Sequence, residues 1–369
     1  MKRLVLVGGG HSHVEVIRRF ALDSPPRTEV VLVSPGRYTP YSGMLPGLIA
    51  GHYDYSSCHI DLEALCRFAR VRFVRDVVVG IDPVAHRLDC ASSARLSYDL
   101  VSLDIGSAHT RDILHPSSTG GVPVKPTEHF LERWAAAVER AEQQRLCIVM
   151  VGAGAAGVEV TLAMQHHLSA TNACPARFSI VSASAEILPG HSAGVRKRFE
   201  RILHARNVDI HLESKVAAVG EREVRLESQR VLEADWVVWS LGPRASEWIA
   251  RSGLQTDDAG FVLVDRHLRS VSHPAVFAAG DIASMRDHPR PKSGVYAVRQ
   301  GPPLAANLRA VLVDQPLQPY HPQRRALALI STGDRYAIAS WGELSLEGAW
   351  VWRWKDHIDR RFMARYRVE

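Results

Sequence analysis

Apolar residues run unbroken at Leu4-Val5-Leu6-Val7 and stop at Gly8-Gly9-Gly10. A short apolar run closed by glycine predicts a parallel strand buried on both faces. Val14–Leu22 reads as a helix, and Glu29-Val30-Val31-Leu32-Val33-Ser34 as the next strand. Together they form a βαβ unit of ordinary length. A loop follows with Pro35, Gly36, Pro40, Gly43, Pro46 and Gly47. Loops at strand ends often carry ligand contacts. Residues 61–70 predict a helix, and residues 71–103 a series of short strands running into Asp104-Ile105-Gly106-Ser107.

The plan then recurs. Pro116 to Pro126, with Gly120 and Gly121, reads as a linker, and Thr127 as the cap of a long helix to about Arg145. A second βαβ opens at Cys147-Ile148-Val149-Met150-Val151-Gly152-Ala153-Gly154-Ala155-Ala156-Gly157, and its second strand is Phe178–Ser182. Strands near 207–240 end in Val237-Val238-Trp239-Ser240-Leu241-Gly242-Pro243, echoing Val101–Gly106. A third apolar run, Val276-Phe277-Ala278-Ala279-Gly280-Asp281, comes after this second copy, which therefore sits inside the first. The expected fold is α/β, with two Rossmann-like dinucleotide-binding domains, the second inserted into the first, plus a small C-terminal segment. The first domain takes residues 1–118 and 246–312, the second 119–245, and a strand/helix segment 313–369. In that last segment Trp354, Ile358, Phe362 and Tyr366 recur every four residues as one helical stripe, with Lys355, Arg360, Arg361 and Arg365 mostly off it.

Composition narrows the class. A chain of 369 residues with 46% hydrophobic and 23% charged content suits two or three globular units. A net charge of +6 fits an anionic ligand, an acidic surface or ordinary scatter, and no motif singles out nucleic acid as a partner. Cys58, Cys66, Cys90, Cys147 and Cys174 form neither Cys-x-x-Cys nor a zinc spacing, which suggests a reducing compartment; Cys147 reads as a small core residue. The N-terminus lacks a signal-peptide pattern, and no stretch nears the roughly 20 apolar residues of a membrane span. A cytoplasmic protein is expected, with peripheral contact at the inner face of the membrane through a basic, aromatic C-terminal helix as the alternative to packing against the fold or a second subunit.

A glycine loop between strand and helix lets a pyrophosphate approach the backbone and the positive helix end. Gly152, Gly154 and Gly157 match that fingerprint in full. Gly8 and Gly10 match it, but His13 stands where the third glycine belongs. Either His11 or His13 touches the cofactor, or His13 is merely accommodated at the helix start. The pair His11-x-His13 also has a zinc-ligand reading, which the surrounding glycines oppose, so no metal is expected. Both second strands end in serine, Ser34 and Ser182, instead of the acid that usually bonds ribose. The choice between NADH and NADPH therefore stays open. Asp281 is placed to bond a ribityl hydroxyl, and Lys292 to stabilise charge on a reduced flavin or simply to lie in solvent.

The set Gly8-x-Gly10, Gly152–Gly157 with Glu159, Ser102–Gly106, Leu241-Gly242 and Gly280-Asp281 resembles the pyridine nucleotide-disulfide oxidoreductase superfamily over about residues 1–310. Tyr41-Ser42-Gly43-Met44-Leu45-Pro46-Gly47 resembles the branch of type II NADH dehydrogenases and sulfide:quinone oxidoreductases. The Gly-Gly-Gly-His-Ser-His start, residues 292–304 and Trp352-Arg353-Trp354-Lys355-Asp356 are similar to a subgroup that stands alone or is fused to selenide, water dikinase. The resemblance implies FAD near Gly8, Gly10, Ser34, Arg37, Ser42, Gly43, Val77, Gly106, Gly280, Asp281, Lys292, Ser293, Gly294 and Val295. It implies NADH or NADPH near Gly152, Gly154, Ala155, Ala156, Gly157, Glu159, Ser182 and Gly242, with Lys292 and Glu159 closest to the chemistry. Three departures stand out. The redox cysteine pair is missing, Cys147 and Cys174 fit a sulfide site poorly, and in Val295–Gln300 only Gln300 fits the quinone motif. The expected activity is hydride transfer from NAD(P)H through flavin to a quinone or a sulfur or selenium acceptor. The alternatives are a sulfide- or selenide-active flavoenzyme without nicotinamide, and a non-catalytic redox partner of selenophosphate synthesis. A homodimer is a candidate assembly.

Overall fold

The computed structural model describes residues 1–107, 120–171 and 174–368. Residues 116–119 of the expected linker, and the expected boundary at residue 118, lie outside the described residues.

Two five-stranded parallel sheets carry the fold. The first runs Val276–Ala278, Leu100–Leu103, Lys2–Val7, Thr28–Ser34, Arg72–Arg75. The second runs Val122–Pro123, Trp236–Trp239, Cys147–Val151, Arg177–Val181, Val208–His211. The strand order is the same. Each sheet has a three-stranded antiparallel crossover, 78–97 in the first domain and 216–233 in the second, with a register shift at the same place in both. The first sheet is completed by Val276–Ala278, which follows the whole second domain, so the second unit is inserted into the first. The unbroken apolar strands are explained by cover on both sheet faces, helices on one and the antiparallel crossover on the other, as where Val149, Val151 and Val237 pack with Val219, Val224 and Leu226. The helix Ala155–Ala170 is likewise apolar on most sides because it lies between layers.

Several boundaries moved. The first helix is His11–Leu22, starting three residues before Val14, because an acceptor outside the helix, Asp104, takes the free N–H groups of its first turn. The helix expected from Thr127 to Arg145 spans Thr127–Ala141, with Pro126 at its cap and no side-chain cap bond. Asp61 caps Leu62–Phe68 by accepting the Ala64 N–H at 3.0 Å.

The C-terminal segment straps the two domains. Its antiparallel sheet, Ala328–Ser331, Ala337–Trp341 and Leu344–Gly348, sends Ile330 and Ile338 into the second core. The helix Ala349–Ala364 and the residues after it put Phe362, Met363 and Tyr366 into the first core. The expected stripe is thereby split. Phe362 and Tyr366 are buried, whereas Trp354 and Ile358 are each 40% exposed. The inward row of the helix is Val351, Lys355, Asp359, Phe362 and Met363. An ion pair sits in the middle of that row, which apolar periodicity does not detect.

Candidate functional site

The C-terminal ends of both sheets open on one continuous cleft of about 2560 Å³. Pockets for one small ligand span about 300–1,000 Å³. This cleft is large enough for two dinucleotides and a further reactant.

From the first domain, Gly8, Gly10, His11, Ser34, Ser42, Gly43, Val77, Gly106, Asp281, Lys292, Ser293, Gly294 and Val295 line it. From the second, Gly152, Gly154, Ala155, Ala156, Glu159, Ser182 and Gly242 line it. Four expected residues sit elsewhere. Gly280 lies just beneath, in the turn that carries Asp281. Gly157 faces inward, where a Cβ would lie 2.0 Å from the Gly152 carbonyl oxygen. Arg37 turns away and pairs with Asp61 at 2.7 Å, so its guanidinium serves the loop. His13 is fully buried, with Nδ1 2.7 Å from the Gly8 oxygen and Nε2 2.8 Å from Ser102 Oγ. It fills the place of the missing third glycine by replacing a bare backbone contact with two hydrogen bonds. Burial drives its pKa down to about 4, so the ring is neutral. His11 packs edge-on to Tyr41, with ring centroids 5.5 Å apart, and its buried Nε2 has no partner among the described residues. Burial first, then Lys125, lowers its pKa to about 4 as well.

Asp281 lies 3.6 Å from Lys125 across the domain junction. Lys292 donates to the Ala283 carbonyl and sits 4.0 Å over the Phe261 ring. Burial lowers its pKa to about 8, with Asp257 and Asp281 opposing that shift. It precedes Ser293, the cap of the helix Gly294–Leu312, so a cation and a helix N-terminus face the same part of the cleft.

Three residues escaped sequence reasoning: Lys355, Asp359 and Tyr41. Lys355 donates to the Gly43 carbonyl and pairs with Asp359 at 2.6 Å, both nearly buried. Tyr41 stacks on Phe362 at 4.3 Å, and burial together with nearby Asp359 raises its pKa. Beside them lies the expected Glu159, which accepts the Ser331 N–H at 2.7 Å. Burial pushes the Glu159 carboxyl up to about 7, with Lys355 pulling it down. These groups form a polar floor between the Gly43 loop, the second glycine helix and the C-terminal helix. Tyr41 and Lys355 lie within stretches already singled out by resemblance, but the pairing of Lys355 with Asp359 was signalled by no more than an i,i+4 Lys–Asp spacing, which ordinarily marks a solvated face.

A family model described as pyridine nucleotide-disulphide oxidoreductase matches residues 2–301. The chain belongs to that family. It is therefore an oxidoreductase. This oxidoreductase is 29% identical over 279 residues to an NADH dehydrogenase-like protein of Mycobacterium tuberculosis, covering 72% of this chain and 69% of the relative. It is 20% identical over 337 residues to a type II NADH:quinone oxidoreductase of Staphylococcus haemolyticus, covering 85% and 83%. Among solved structures, the sulfide:quinone oxidoreductase of Aquifex aeolicus superposes with a TM-score of 0.81 over 100% of this chain and 92% of the other, at 17% identity. That likeness confirms the two-domain fold.

Proposed function

We propose that this oxidoreductase binds FAD on the first domain, takes hydride from NADH or NADPH bound on the second, and reduces a quinone-like acceptor. The observation that carries the reading is the single cleft shared by two glycine loops, each at the C-terminal end of its own parallel sheet. The names of the relatives, NADH dehydrogenase-like and NADH:quinone oxidoreductase, support the donor and the acceptor class.

The residues present fit FAD. Gly8 and Gly10 offer a close backbone approach, Asp281 an acceptor for a ribityl hydroxyl, and His11 a buried nitrogen with no partner among the described residues. Flavin, when bound, supplies a two-electron carrier between a hydride donor and an acceptor. Lys292 and the N-terminus of Gly294–Leu312 favour negative charge on its ring. Gly154, where a Cβ would meet nothing within 4 Å, leaves room for the nicotinamide pyrophosphate. Reduction of a quinone takes up two protons, and Glu159 with a pKa of about 7 is a group able to hold and give one. Among the described residues that line the cleft there is no cysteine, and burial raises the Cys58 and Cys66 thiols to about 12. A cysteine-borne sulfide reaction is therefore the weaker reading. Sulfur and selenium species remain alternative acceptors.

Exposed Trp341, Leu344, Leu346, Trp350, Trp354 and Ile358 beside Arg353, Arg361 and Arg365 support peripheral membrane contact, where a lipophilic acceptor is reached. No helix is long and apolar enough to cross a membrane among the described residues. Association with selenide, water dikinase rests on the sequence resemblance and is tested by co-purification.

Anaerobic titration of the flavin-loaded protein with NADH and NADPH separately tests the reading. Bleaching by either is expected, with reoxidation by a soluble quinone. If neither bleaches the flavin while sulfide does, pyridine nucleotide is not the donor.

A further inference from the structure

The first nucleotide loop closes around a carboxyl group. Asp104 follows the strand Leu100–Leu103 and is 3% exposed. Its Oδ2 accepts the N–H groups of Ser12 at 2.8 Å and His13 at 3.0 Å, in the first turn of the helix His11–Leu22. A Cβ on Gly10 would lie 2.3 Å from the carboxyl carbon, and one on Gly280 would lie 2.3 Å from Oδ1. A Cβ on Gly8 would lie 2.4 Å from the Asp104 backbone oxygen. Three glycines that read as nucleotide contacts are thus each left bare for Asp104. The second domain shows the contrast. Ser240 holds the equivalent place, its backbone oxygen 2.1 Å from a Cβ on Gly152, and its side chain leaves Gly154 open.

A helix N-terminus attracts an anion through its free N–H groups and partial positive charge. Here an acid of the protein has already taken part of that attraction. A pyrophosphate settling on the same loop comes close to it. Among the described residues no cation pairs with Asp104, whereas Asp281 faces Lys125. The remaining neighbours do not compensate. His11 and His13 from the helix are neutral, Gln300 from the helix Gly294–Leu312 accepts the Gly280 N–H without charge, and Lys292 faces Asp281.

We propose that Asp104 is the positioning residue that sets FAD affinity: its neutral acid form admits the pyrophosphate, and its carboxylate form opposes it. Burial pushes this carboxyl up to about 7, the two helix N–H groups pull it down and the nearby Asp281 charge adds to the rise, so both forms exist near neutrality. The inference rests on the FAD reading above.

The test is FAD binding to apoprotein, followed by fluorescence, from about pH 6 to about pH 9. Wild-type affinity should weaken as pH rises through the Asp104 transition, approaching tenfold per unit above it, with proton uptake on binding. Asp104→Asn keeps both helix N–H bonds through its amide oxygen and removes the charge. Its affinity should match the wild-type value at low pH and change less with pH. Lys292 titrates in the same range, so the readout is the difference between the two profiles. Asp104→Ser, which copies the second domain, gives a second neutral variant should the amide fail to fold, and proton uptake on binding should be larger in the wild type than in either variant. Parallel profiles in wild type and variants, with equal proton uptake, would overturn the inference and leave the cofactor reading intact. Failure of FAD to bind at any pH would overturn both.

Discussion

The two nucleotide domains share a backbone and differ in how they seal it. Gly8 donates to Val33 and Gly152 to Val181, each at 2.8 Å. Asp104 donates to Val7 at 2.9 Å, and Ser240 to Val151 at 2.8 Å. Even the strand starts agree, with Asp99 accepting the Arg3 N–H and Asp235 accepting the Cys147 N–H. The side chains diverge at two places. His13 and Asp104 make the first loop a buried polar network, while Gly157 and Ser240 leave the second nearly bare. The same strand–loop–helix can therefore be closed by hydrogen bonds or by direct backbone contact. The first way ties the seat to pH, and the second leaves it open to a ligand that comes and goes.

The hardest blow to this comparison is to write one loop into the other. Gly157→His places a side chain where a Cβ is already 2.0 Å from a carbonyl oxygen. The variant should lose more than about 4 kcal/mol or fail to fold, as read by denaturant unfolding. A variant of wild-type stability would show that the loops are interchangeable.

Next is acid sensitivity. Buried His11 and His13 have folded-state pKa values lowered to about 4 from 6.5, so the unfolded chain binds protons that the folded chain refuses. Their contribution to stability should hold above about pH 6.5 and fall as pH drops toward 4, by up to about 3 kcal/mol for each ring. The raised carboxyls of Asp104 and Glu159 act in the opposite direction as they take up protons, so the effect is read as the difference between wild type and variant. His13→Gln should remove part of that slope in urea unfolding at a series of pH values. An unchanged slope would mean that His13 titrates normally.

The mildest change concerns the second domain's open seat. Ser182→Asp restores an acidic end to the strand Arg177–Val181 and should favour NADH over NADPH by roughly tenfold in kcat/KM. An unchanged ratio would place the ribose away from Ser182.

Much of the scaffold was readable in advance. Leu4–Val7 and Ile148–Val151 were legible as buried parallel strands because both sheet faces are covered, and Gly152 and Gly157 marked the loop because close backbone approach tolerates no side chain there. The C-terminal helix was legible as a helix but not in its facing. Apolar periodicity pointed to Trp354 and Ile358, whereas the buried row holds Lys355 and Asp359, which satisfy each other and the Gly43 carbonyl. The pairing of Arg37 with Asp61 was likewise not legible, because the two lie 24 residues apart and meet only in the folded loop.

What the chain fixed by itself was local and periodic: strands, helix starts, glycine loops and the order that inserts one domain into the other. Such features depend on neighbours a few residues apart. Only the tertiary structure decided that Asp104 lies on a helix more than ninety residues upstream, and that Glu159 meets the C-terminal strap at Ser331. The role of a polar side chain depends on which distant group satisfies it once water is removed, and spacing along the chain does not carry that information.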